Sequence, residues 1–160
     1  MKRETFHPKQ AQELAAAFHK HNVEYMFIGK SGAILLGYPG TTQDVDVFPL
    51  KNEINGRRIV SALSEIGFDL NAELAHQIVQ GKDFIQIKSG PFDVDLVFAP
   101  DGIESYDDAK ERMDSSSGFP VVNIRDIIAS KRSANRNRDR IELPQLEAFR
   151  EVYERQISSD

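Results

Sequence analysis

The chain has 160 residues, 40% hydrophobic and 28% charged, enough for one domain with a core and too few for two of ordinary size. It contains no cysteine, which excludes disulfides, zinc ribbons, iron–sulfur ligation and thiol catalysis and fits a reducing cytoplasm. Twenty Lys and Arg against 25 Asp and Glu leave a net charge of −5, which argues against a general nucleic-acid or membrane coat and leaves room only for a local basic patch.

In chain order, Met1-Lys2-Arg3-Glu4 leads into a polar pattern without a signal-like apolar stretch, and no apolar run approaches a membrane span. Pro8, Ala11, Leu14, Ala15 and Phe18 predict a first helix over about 8–22. His19 and His21 on it point to opposite sides and cannot share a metal. The run Glu24 to Ile28 predicts a buried strand ended by Gly29. A small-residue turn, Gly29-Lys30-Ser31-Gly32, then opens a brief helix through Leu36. After the turn Tyr38-Pro39-Gly40, Val45 and Val47 alternate with Asp44 and Asp46, a strand with one apolar and one acidic face.

Ile59, Ala62, Leu63 and Ile66 mark a helix ending at Gly67, and Ala72 to Val79 a shorter one before Gly81. Phe84 to Lys88 and Phe92 to Phe98 predict a hairpin about Ser89-Gly90-Pro91. Ser105 caps a helix through about Met113, Ser115 to Gly118 is a loop, and Asn123 caps a helix carrying Ile124, Ile127 and Ile128. Pro144 is expected to start the last helix, with Leu146, Phe149, Tyr153 and Ile157 on one face. Helices and strands interleave throughout, so the expected fold is α/β (α+β): a single domain with a mixed β-sheet flanked by helices, core about 8–122 and a helical C-terminal part about 123–157.

Gly29-Lys30-Ser31 is not a Walker motif, because Glu24 stands where that motif needs glycine. It remains a glycine-led strand-to-helix turn of the kind that holds phosphate oxygens. Asp44 and Asp46 share a strand face about 7 Å apart, so they can converge on hard cations; a solvated strand face is the alternative. Asp93 and Asp95 form a second pair on a strand otherwise too apolar for simple exposure. Three carboxylates from two strands around two magnesium ions would suit attack by a hydroxyl and departure of pyrophosphate. Lys131, Arg132, Arg136, Arg138 and Arg140 form a basic segment that either draws nucleotide phosphates or is a solvated helix end.

Four segments together carry a family resemblance: Ile28-Gly29-Lys30-Ser31-Gly32-Ala33, Thr41-Thr42-Gln43-Asp44-Val45-Asp46-Val47, Val94-Asp95-Leu96, and Val122 to Lys131 with Arg138-Asp139. They resemble the polymerase-β-like nucleotidyltransferase superfamily, particularly its small stand-alone bacterial members, which include toxin/antitoxin components. The resemblance implies a nucleotidyltransferase-like fold. It also implies that Asp44, Asp46 and Asp95 are catalytic and bind two Mg2+ ions, with Asp95 preferred to Asp93. Gly29, Lys30, Ser31, Thr42, Lys131 and Asp139 are implied in binding a nucleoside triphosphate, Asp139 by orienting Lys131 or an arginine. Lys30 departs from the family pattern, which has a second glycine or a serine there. The implied reaction transfers a nucleoside monophosphate from an NTP to an acceptor hydroxyl on RNA, protein or a small molecule. The alternative is a catalytically inactive member that binds RNA, nucleotide or a partner protein.

Overall fold

The computed structural model describes residues 6–158; the Met1-Lys2-Arg3-Glu4 stretch lies outside them. Helix α1 (Pro8–Lys20) starts at the expected proline, with Nδ1 of His7 accepting the Lys9 N–H and Leu14 and Phe18 fully buried. Strand β1 (Tyr25–Ile28) passes directly into α2 (Gly29–Leu35), so the residues expected as a turn are already helical. Gly29 makes this possible by reversing the chain in one step at φ +67°, a conformation costly for any residue with a Cβ. Strand β2 (Asp44–Pro49), helices α3 (Glu53–Glu65) and α4 (Ala72–Gln80), strands β3 (Phe84–Ile87) and β4 (Asp93–Val97), and α5 (Tyr106–Glu111) follow at the positions that periodicity and caps predict.

The four strands form a mixed sheet of order β1-β2-β4-β3. Strands β3 and β4 are the expected antiparallel hairpin, β1 pairs antiparallel with β2, and β2 pairs parallel with β4. The parallel pair needs a crossover, supplied by α3, α4 and β3. Two adjacent rows cross all four strands. Phe27, Val47, Leu96 and Ile85 form one, and all four are buried. Ile28, Asp46, Asp95 and Gln86 form the other. Because side chains alternate along each strand, the first row builds the core and the second sets Asp46, Asp95 and Gln86 towards the other face, with Ile28 buried at its end.

Helix α6 (Ile124–Ala134) is capped by Asn123 as predicted and ends at Asn135 in the left-handed region, φ 51°. Helix α7 (Asn137–Ser158) corrects the sequence reading: it begins about two turns before Pro144. Asp139 explains the early start, since its carboxylate accepts the Arg136 N–H at 3.0 Å and satisfies a donor left open at a helix N-terminus. Fully buried Leu146, the Tyr38–Phe149 ring pair at 5.6 Å and a Tyr38 hydroxyl bond to Gln145 at 3.2 Å dock α7. No helix among the described residues is long and apolar enough to cross a membrane.

Candidate active site

The parallel register sets Asp44 beside Asp93 and Asp46 beside Asp95. A cavity of about 760 Å3 opens over this part of the sheet, lined by Asp44, Asp46 and Asp95 but not by Asp93. That volume lies in the range of small-molecule sites. Asp46 and Asp95 stand side by side in the parallel register, so each bears on the other's ionisation. Burial first, then the charges of Asp95 and Asp44, hold Asp46 well above the usual carboxylate range. Asp95 is pushed up to about 6, again by burial first and Asp44 second. Lys131 works the other way on Asp46, favouring its charged form.

Gly29 is needed here for a second reason. A Cβ at this position would overlap the Asp46 carboxylate, with Oδ2 its nearest neighbour. The glycine thus lets the helix start and the Asp46 carboxylate approach each other. Ser31 locks the same corner: its hydroxyl donates to Ile28 O at 3.2 Å and accepts the Asp46 N–H at 2.9 Å. Ser31 is fully buried and is not among the residues that line the cavity. Its hydroxyl ties β2 to α2 from behind.

Gly29, Lys30, Thr42 and Lys131 all line the cavity. Of the basic segment, Arg136 and Arg138 line it too, whereas Arg132 pairs with Glu147 at 2.8 Å and Arg140 bonds Asn137. Asp139 does not reach the cavity and is fully buried, so its implied part in nucleotide binding is indirect. It accepts Arg136 Nε at 2.8 Å and stands 3.9 Å from Lys131 Nζ, fixing two cations that do reach it. Burial works against its charge, but the hydrogen bonds from Arg136 hold it below the usual carboxylate range.

Sequence reasoning missed Glu142. Its carboxylate joins the two lysines, 2.7 Å from Lys30 Nζ through Oε2 and 3.3 Å from Lys131 Nζ through Oε1. Burial opposes its charge, yet Lys30 and Lys131 hold it below the ordinary glutamate range. The available signal was the three-residue spacing from Asp139, which places both acids on one helix face; starting the last helix at Pro144 hid it. Phe84 and Gln86 were missed as well. Both line the cavity from the edge strand, in the register that sets Gln86 opposite Asp95.

The donor set fits divalent magnesium in chemistry: three aspartates, all hard oxygen, whose mutual repulsion a cation would relieve. Among the described residues no three His, Asp or Glu side chains are gathered so as to hold one metal ion by themselves. A substrate's phosphate oxygens commonly complete the coordination of magnesium.

No family model and no curated protein matches this sequence. A solved structure from Thermotoga maritima, provisionally assigned as a nucleotidyltransferase, is similar over 95% of this chain and 92% of that one, at 14% identity and a TM-score of 0.48. The chemistry of the site is therefore read from its own residues.

Proposed function

We propose that this chain is a magnesium-dependent nucleotidyltransferase of the small stand-alone type, a type that takes in components of toxin–antitoxin pairs. The reaction joins an acceptor hydroxyl oxygen to the α-phosphorus of an NTP. The bond from that phosphorus to the β-bridging oxygen breaks, and its electron pair leaves with pyrophosphate. One observation supports the reading above the others: a single cavity is lined by Asp44, Asp46 and Asp95 together with Lys30, Lys131, Arg136 and Arg138.

Asp44, Asp46 and Asp95 would hold two Mg2+ ions, which when bound supply charge neutralisation at the phosphates. The remaining work falls to the chain's own groups. Lys131 and Arg136, held by Asp139, orient the triphosphate by charge. Gly29 lets the start of α2 approach the phosphates, and Ile28 at its N-cap supplies no side-chain oxygen to compete for the helix N–H groups. A carboxylate oxygen of Asp46 or Asp95 takes the acceptor proton.

The test is transfer of label from an α-labelled NTP into RNA, protein and small-molecule fractions of a lysate. Asp44→Asn is expected to lower it by at least about 100-fold with the circular dichroism spectrum unchanged; retained turnover rejects the assignment. The second reading, a silent binding module, draws on the Lys30–Glu142 ion pair, because it already engages a lysine of the phosphate wall. Calorimetry separates the two: NTP binding that needs both magnesium and Asp44 supports the enzyme, and metal-independent RNA binding supports the module.

A further inference from the structure

We infer that Glu142 is a built-in occupant of a phosphate position, and that a polyphosphate enters by exchanging with its carboxylate between Lys30 and Lys131. The inference rests on the nucleotidyltransferase reading for the place of the phosphates, and it adds how that place is filled and emptied.

The geometry is that of an anion held by two cations. Each carboxylate oxygen of Glu142 takes one lysine, at 2.7 and 3.3 Å, as two oxygens of one phosphate would. The side chains of Lys30, Lys131 and Glu142 are 28%, 13% and 19% exposed, so the trio is partly shielded from water and its charges are weakly screened. All three line the same cavity as the aspartates. A polyphosphate cannot use both lysines fully while Glu142 holds them, and a third anion beside a retained Glu142 would be repelled by it.

The fold also lets Glu142 move. It lies in the part of α7 just before Pro144, whose missing N–H breaks the helix ladder at Arg140 O and whose ring strains that turn. Leu146 and Phe149 anchor the helix beyond the proline. Withdrawal of the carboxylate therefore requires only rotation of the Glu142 side chain and local adjustment of the turn before Pro144. Asp139 remains with Lys131 and Arg136 when Glu142 leaves, so the cations stay oriented.

A purely structural Glu142 and an exchangeable one predict opposite signs. Calorimetric titration with inorganic tripolyphosphate in EDTA is expected to show Glu142→Gln binding about tenfold more tightly than wild type, near 1.4 kcal/mol. Lys30→Gln is expected to bind more weakly than wild type. Equal or weaker binding by Glu142→Gln overturns the inference, since loss of a mere lysine holder should reduce affinity. Glu142→Ala, with its thermal midpoint recorded, serves if the glutamine variant fails to fold, and the same direction is expected. Parallel titrations with Mg2+ and ATP separate the two levels. If wild type binds ATP in an Asp44-dependent way while Glu142→Gln gains no tripolyphosphate affinity, the exchange is wrong and the enzyme reading stands. If neither protein takes up ATP with magnesium or tripolyphosphate, both fall.

Discussion

Two rows of the same sheet, one residue apart on every strand, have opposite physical characters. Phe27, Val47, Leu96 and Ile85 are buried and apolar, and their contribution is removal of surface from water. Ile28, Asp46, Asp95 and Gln86 carry two acids whose proton affinity is raised by burial and by the carboxylates around them. One face therefore contributes stability, and the other costs stability to keep carboxylates crowded beside a cavity. The lesson is that the alternation of strand side chains lets both occur on the same backbone without compromise to either.

The largest effect expected on stability lies in the apolar row. Leu96→Ala removes a fully buried side chain and should destabilise the protein by about 2–5 kcal/mol, read from urea unfolding. A cost under about 1 kcal/mol would mean that this face is not the main core. Gly29→Ala comes next, because it touches both rows' interests. It forces a Cβ into φ +67° and against the Asp46 carboxylate, so unfolding free energy should fall by about 1–3 kcal/mol and nucleotidyl transfer should fall with it. Normal activity in a stable Gly29→Ala protein would break the claim that this glycine sets the carboxylate's place.

The smallest effect has the opposite sign. Burial and the Asp44 charge push Asp95 up from the ordinary 3.8 to about 6, so the folded state binds its proton more tightly. The stability gained from that proton is complete below the unfolded value and is lost as pH rises through the window from 3.8 to about 6. Above it Asp95 is charged among the neighbouring carboxylates. Asp95→Asn in EDTA should therefore be more stable than wild type near pH 7.5, by on the order of 1 kcal/mol, with the difference closing towards pH 4. Thermal melts across pH check this, and a less stable variant at pH 7.5 would show that the acidic row is not under strain.

Much of this was legible without coordinates because it is local. The alternation around Asp44 and Asp46, the caps at Ser105 and Asn123, and the hairpin around Ser89-Gly90-Pro91 each depend on a few neighbouring residues and formed as read. The strand-to-helix step at Gly29 was half legible: the glycine marked the change, but the helix starts at once rather than after a turn. Ser31 and Asp139 were singled out on resemblance, and both prove to be buried residues that position others. Nothing in their spacing distinguishes a hydroxyl aimed at a ligand from one aimed at a neighbouring strand.

The amino-acid order alone determined which residue types repeat with period two or three to four, and hence the elements, the mixed α/β class and the acidic strand faces, because those periods are properties of short backbone segments. Only the tertiary structure decided that β2 lies parallel to β4 with Asp46 beside Asp95, and that α7 begins early enough to set Glu142 between Lys30 and Lys131. These are contacts between residues far apart in the chain, set by how whole elements pack, and no local pattern encodes their distances.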